Sequence, residues 1–224
     1  MTIQRFVLLA VVALSIIALA GCAGPKPHAD ACSEPQRSDI KNFCIVSPGL
    51  LFRGAKPDVD GATELVTRGV RTVVNLELLH DDKDAFLAVR SEIASPMTIR
   101  YFRVRDWEPN VVVAPALLDE HIAAFIAITK TQPKPIYVHC RSGQNRTGVM
   151  VAAYRILIEG QPIDSAIGEM QRYNGYWFKE DAAYLRALVG ERRARIEATV
   201  ASLLVASVQP SAVFNCAQDG CALQ

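Results

Sequence analysis

The segment from Pro135 to Gly160 constrains the fold more than any other part of the chain. Pro135-Ile-Tyr-Val-His139 is a short apolar run that reads as a buried strand. Arg146 to Glu159 reads as an apolar helix stopped by Gly160. Between them lie Ser142, Gly143, Gln144 and Asn145, residue types that tolerate turn geometry. In an open α/β sheet, a loop that leaves the carboxyl end of a strand and enters a helix forms a ligand crevice. Its peptide N–H groups and the positive end of the helix dipole converge on one concavity. That concavity suits a tetrahedral dianion.

The rest of the chain has the same alternation. A short strand from Cys44, a turn at Ser47-Pro-Gly49 and a strand at Leu50–Arg53 come first. Asp58 to Arg68 is helical in pattern and Gly69 stops it. Arg71–Leu76 and Thr98–Val104 read as strands, Asp82–Ala94 as a helix and Arg105–Val113 as a loop. Pro115–Lys130 is a helix with Pro in its first turn. Ile163–Tyr173 and Asp181 to about Val205 complete a helical C-terminal half. The expected fold is a single α/β domain over residues 44–206, with a mostly parallel sheet of four to five strands flanked by helices. Residues 207–224 read as a tail, stapled if Cys216 and Cys221 pair.

The run His139-Cys-Arg-Ser-Gly-Gln-Asn-Arg-Thr-Gly148 carries the chemistry. Cys140 stands at the start of the positive pocket, and the field that binds an anion also favours a thiolate. A thiolate attacks without a separate base. Arg146 supplies a planar fork matched to two phosphate oxygens. Arg141, Ser142, Gly143, Gln144 and Asn145 form the phosphate-binding loop with it. Thr147 is placed to hydrogen-bond the sulfur and help it leave. His139 is expected to orient the loop through backbone hydrogen bonds rather than to act as a base.

His-Cys-x5-Arg-Thr-Gly resembles the signature of the protein tyrosine and dual-specificity phosphatase superfamily. Leu51-Phe-Arg-Gly-Ala-Lys-Pro57, with Gly69-Val-Arg-Thr-Val-Val-Asn-Leu76, is similar to the opening of its compact bacterial, plant and fungal members. The resemblance covers about residues 48–190. It implies the cysteine phosphatase fold and a phosphocysteine intermediate, with no cofactor. It also implies a general acid on a separate loop. Asp106 lies 34 residues before Cys140, directly after the Thr98–Val104 strand, and takes that role. Asp119 is expected to be solvated, and Asp81, Asp82 and Asp84 to cap a helix. Arg53, within the first motif, either supports the phosphate loop or forms a surface ion pair. Trp107, Tyr173, Asn174, Tyr176 and Trp177 either border the site or pack.

The substrate is less constrained. Lipid-directed members carry Lys on both sides of the loop Gly; here Arg141 and Gln144 stand there. A phosphoprotein substrate therefore ranks ahead of a phosphoinositide or inositol phosphate. Five residues between Cys and Arg argue against a rhodanese-like sulfurtransferase, whose loop has four. Cys140, Arg146 and Asp106 together argue against a non-catalytic phosphate-binding module.

The N-terminus sets the compartment. Arg5 precedes an apolar stretch from Phe6 to Ala20 that ends in Gly21-Cys22, the pattern of a secretory signal. Leu19-Ala-Gly-Cys22 resembles the bacterial lipoprotein processing box. That resemblance implies residues 1–21 as signal peptide, lipid on Cys22 and residues 22–43 as a tether to a cell-envelope membrane. Of six cysteines, Cys32, Cys44, Cys216 and Cys221 then remain for disulfides, with three possible connectivities. No cysteine pair has the two-residue spacing of zinc sites, and no metal is expected. The 24 basic and 23 acidic residues offer no electrostatic footprint for nucleic acid. A monomer is expected.

Overall fold

The computed structural model describes Cys32 and residues 36–90, 95–173, 175–176 and 178–224. The expected signal peptide, Cys22, most of the expected tether, Asn174 and Trp177 lie outside the described residues.

A seven-stranded mixed sheet runs through the domain. Its strands are β1 (Cys44–Ser47), β2 (Leu51–Ala55), β3 (Thr72–Glu77), β4 (Met97–Asp106), β5 (Ile136–Cys140), β6 (Ala212–Ala217) and β7 (Gly220–Leu223), in the order β1-β2-β5-β3-β4-β6-β7. The central four, β2, β5, β3 and β4, are parallel; β1, β6 and β7 join antiparallel. β2, β3 and β5 are buried along their whole length, as parallel strands covered on both faces must be.

One face is covered by α1 (Val59–Thr67) and α2 (Lys83–Leu87), which bury Leu65, Val66 and Phe86. The other carries α3 (Asn110–Val113), α4 (Pro115–Thr131), α5 (Asn145–Leu157), α6 (Ile163–Gln171), α7 (Phe178–Arg186) and α8 (Gly190–Ala206). The local sequence explains the ends. Asp58 caps α1 by accepting from the Gly61 N–H at 3.0 Å. Pro115 opens α4. Gly148 lets α5 approach α6, where an added Cβ would lie 2.9 Å from Met170.

Four expectations change. Of the helix expected over 82–94, residues 91–94 lie outside the described residues, and among the rest only α2 is helical; the Arg90 guanidinium folds back on the carbonyls of Leu87 and Val89, at 2.8 and 2.9 Å. The 105–113 loop instead continues β4 through Asp106 and then forms α3. The last helix is two, α7 and α8, divided at buried Leu188 and at Gly190, whose φ of +53° breaks a continuous helix. Residues 212–223 are a hairpin that adds two strands beyond the expected four to five. Phe214 anchors it, fully buried and stacked on Phe86 with ring centroids 5.5 Å apart. Disulfides join Cys32 to Cys44 and Cys216 to Cys221, the latter across the hairpin.

Candidate active site

β5 delivers Cys140 to the carboxyl edge of the sheet, where its side chain is fully buried. The chain then turns through residues 141–144 and enters α5 at Asn145. Gly143 has φ +72°, and a Cβ there would fall 2.5–2.6 Å from backbone atoms of Gly54 and Ala55. Only Gly fits such a position. Gly54 is equally constrained, since its own Cβ would lie 2.5 Å from the Tyr137 hydroxyl. The loop is thus seated on the end of β2.

The loop's carbonyls are bonded outward. The Arg141 carbonyl accepts from the Lys56 N–H at 3.4 Å, the Ser142 carbonyl from Asn42 Nδ2 at 2.8 Å and the Gly143 carbonyl from the Arg53 guanidinium at 2.6 Å. In a planar trans peptide the C=O of one residue and the N–H of the next point opposite ways. The N–H groups of Ser142, Gly143 and Gln144 are therefore turned to the inside of the loop. Gln144 Nε2 ties the loop to the Tyr173 carbonyl at 2.8 Å.

Arg146 reaches over the carboxyl ends of β3 and β4. Its guanidinium lies 3.4 Å from the Leu76 carbonyl, 3.3 Å from the Asp106 carbonyl and 3.4 Å from Glu108 Oε1. These long contacts hold it loosely. Asp106 ends β4, and Arg146, Asn145, Glu108 and Asp181 line the same narrow cavity with it. The Asp106 carboxylate is buried, accepting from Asn110 Nδ2 at 2.9 Å and facing His121 Nδ1 at 3.0 Å. Neither partner was picked out from the sequence; Asn110 lies four residues after the expected acid and His121 fifteen, on α4.

Asp181, on α7, was also missed. Burial pushes its carboxyl up to about 7; the Asn145 amide opposes this, while Glu180, Glu108 and Asp106 add to it. Arg53 is no surface residue. It is completely buried beneath the loop, with its guanidinium carbon 3.6 Å from the centroid of the Tyr173 ring.

His139 and Asp82 need correction. The His139 imidazole is buried with Nε2 3.2 Å from Asp82 Oδ2, and it stacks on Tyr137 at 5.4 Å between centroids. A carboxylate, not the backbone, faces this ring. Asp82 makes no side-chain cap bond to α2. Its other oxygen accepts from Asn75 Nδ2 at 3.0 Å and from the Tyr101 hydroxyl. Burial raises the Asp82 carboxyl, but His139 and Tyr101 outweigh it and hold it below the ordinary aspartate value. Asp119 is bound rather than solvated, accepting from Tyr184 at 2.5 Å and Arg192 at 2.9 Å. Asp81 pairs with Lys83 at 3.3 Å and Arg103 at 3.4 Å. Thr147 is buried in the first turn of α5, but its hydroxyl has no hydrogen-bond partner among the described residues, the Cys140 sulfur included. Trp107 and Tyr176 are exposed, and Tyr173 is buried.

Chemically, the site joins a buried thiol, a fork of guanidinium donors and three inward N–H groups around a space for an oxyanion. Comparison with known proteins points the same way. The dual specificity protein phosphatase TpbA of Pseudomonas aeruginosa (strain UCBPP-PA14) is 30% identical over 149 residues, 65% of this chain and 62% of that protein. The inositol diphosphatase DSP4 of Arabidopsis thaliana is 27% identical over 135 residues, 59% of this chain and 63% of that protein. The chain thus spans less than two thirds of the length of these curated relatives. Two crystal structures share the fold. P. aeruginosa TpbA in complex with phosphotyrosine superposes with a TM-score of 0.56 at 23% identity, over 79% of this chain and 98% of that one. The catalytic core of the PP-IP phosphatase SIW14 from S. cerevisiae, in complex with citrate, gives 0.55 at 18%, over 76% and 97%. Residues 35–183, more than half of the chain, match the family described as DSP-PTPase phosphatase fused to NAD+ kinase, and the chain belongs to this DSP-PTPase family of dual-specificity and tyrosine-type phosphatases.

Proposed function

We propose that the protein hydrolyses phosphomonoesters through a phosphocysteine at Cys140. The observation that carries this reading is the loop itself: a buried Cys140 under three inward N–H groups, with Arg146 held loosely over the strand ends. In the first step Sγ attacks phosphorus and the P–O bond to the leaving group breaks. Asp106 gives its proton to the leaving oxygen. In the second step water attacks phosphorus, Asp106 takes a proton from it, and the S–P bond breaks to release phosphate. Arg146 and the inward N–H groups of Ser142, Gly143 and Gln144 bind the equatorial oxygens in both steps. Thr147 is assigned to hydrogen-bond the departing sulfur, a bond its hydroxyl does not make among the described residues.

A phosphoprotein is the preferred substrate class. The complex of TpbA with phosphotyrosine supports it. So does the single cation, Arg141, among the two residues that stand where lipid-directed members carry Lys. The inositol diphosphatase relative supports an inositol phosphate as the second candidate. The test is a panel of phosphotyrosine peptide, phosphoserine peptide, phosphoinositide, inositol phosphate and nucleotide, with Cys140→Ser as control. Release of phosphate by the wild type and none by the variant is expected. A folded wild type inactive on every compound would replace the enzyme by a binding module. Asp106→Asn should lower turnover about 10²–10⁴-fold; near-normal turnover would remove Asp106 from the reaction.

The protein is further read as a monomer tethered to a cell-envelope membrane by lipid on Cys22. The apolar run ending at Gly21-Cys22 supports the tether, and disulfides at Cys32–Cys44 and Cys216–Cys221 fit an oxidising compartment. Cells grown with radioactive palmitate should label the wild type and not Cys22→Ala. Equal labelling of both would defeat the assignment.

A further inference from the structure

Arg53 is the largest fully buried side chain among the described residues, and it is a cation. Among the described residues no carboxylate lies within ion-pair distance of it, and two of its three nitrogens, Nε and one Nη, have no hydrogen-bond partner. The third donates to the Gly143 carbonyl at 2.6 Å. A guanidinium does not lose its proton in a protein, so a buried one needs a counter-charge.

The groups that face it are few. Burial pulls its pKa down, and Tyr173, Glu169, Cys140 and Tyr137 oppose that. The Tyr173 ring stacks on it and its hydroxyl is held above its ordinary value by burial, so it stays neutral. Tyr137 is neutral for the same reason and donates its hydroxyl to the Ala55 carbonyl. Glu169 is already committed to Arg155, with contacts of 3.0 and 3.4 Å. That leaves Cys140. β2 and β5 pair in parallel with Arg53 opposite Val138, so Arg53, Val138 and Cys140 present their side chains on one face of the sheet. Arg146, the cation at the other end of the loop, has Glu108 as its partner.

We propose that Arg53 is a positioning residue of the site: from beneath the phosphate loop it holds the Gly143 peptide and supplies the fixed positive charge that keeps Cys140 a thiolate. The inference deepens the phosphatase reading, but its test reads the thiol and not turnover. A chain that hydrolysed nothing would still confirm or refute it.

The experiment is the pH dependence of iodoacetamide alkylation, followed by mass spectrometry on the Cys140 peptide so that other thiols do not contribute. It compares the mature wild type with Arg53→Gln, Arg53→Met and Arg53→Lys, each checked for fold by circular dichroism. The neutral variants should lose thiolate, with alkylation below the wild-type midpoint slowed about tenfold, a shift of one pKa unit. Arg53→Lys keeps a charge and should restore most of it. An unshifted Cys140 midpoint in a folded neutral variant overturns the proposal. So does a lysine variant shifted as far as a neutral one, which would make the role purely steric. If neither neutral variant folds, Arg53→Lys decides alone: thiolate retained supports the proposal, thiolate lost overturns it.

Discussion

Replacing Asp181 by Asn should stabilise the protein at about pH 8 and leave it nearly unchanged at about pH 4. Asp181 is buried on α7, beside Asn145 and near Glu180, Glu108 and Asp106. Its carboxyl is pushed from 3.8 up to about 7, chiefly by burial. The folded chain therefore keeps a proton that the unfolded chain has lost. The stability this group provides is complete below the unfolded value and disappears as pH rises through the folded one. A displacement of roughly three pKa units, at 1.36 kcal/mol each, sets a ceiling of about 4 kcal/mol. Local relaxation lowers that, and about 1–3 kcal/mol is expected. Asparagine has the shape of the protonated acid without its titration. For a domain of this size the gain corresponds to roughly 2–4 °C in melting temperature per kcal/mol. Urea titrations of wild type and variant at the two pH values measure it, because carboxylates that do not interact with Asp181 cancel in the difference. A difference equal at both pH values, or a variant less stable at the higher one, would refute the argument.

Three further outcomes are expected. Gly143→Ala pays about 1–2 kcal/mol for its positive φ and more for the overlap with Gly54; calorimetry should show a lower melting temperature and at least tenfold weaker phosphate binding. Glu169→Leu strips Arg155 of its buried partner and should cost about 3–5 kcal/mol in urea denaturation, where a loss below about 1 kcal/mol would mean that Glu159 suffices. Phe214→Ala should cost about 3–5 kcal/mol by the same measurement; a loss within about 0.5 kcal/mol would mean that the hairpin does not contribute to the core.

The parallel strands were legible because each is rich in apolar and β-branched or aromatic residues, and because Gly69 and Gly160 stop the helices after β2 and β5. Arg71–Leu76 and Pro135–His139 are within a residue or two of β3 and β5. The hairpin was not. Its alternation is short, Val213 half-buried, Phe214 buried, Asn215 exposed and Cys216 buried, and it has meaning only once β4 offers an open edge. Likewise, nothing local shows that the pattern at Asp82–Ala94 ends early. The end depends on the β6–β7 turn, where a Cβ on Gly220 would fall 2.2 Å from the Val89 carbonyl oxygen. Contacts that join distant segments override local helical pattern in both cases.

The site divides along the same line. Cys140, the loop and Arg146 were legible because one strand–loop–helix unit carries them all, and their spacing along the chain is their spacing in space. The remaining groups arrive on other elements and meet only through the sheet order β2-β5-β3-β4; of these, the family resemblance singles out only Asp106, as the acid. β2 brings Arg53 beneath Gly143, β3 brings the Leu76 carbonyl to Arg146, and β4 brings Asp106. α4 and α7 then add His121 and Asp181. In the sequence Arg53 is one arginine in an apolar motif, equally compatible with a surface pair. Its burial, and hence its charge problem, appears only when β2 is set against β5. The order of the strands therefore decides more than shape: it sets Arg53 beneath the loop that follows Cys140, and brings the Leu76 and Asp106 carbonyls to Arg146.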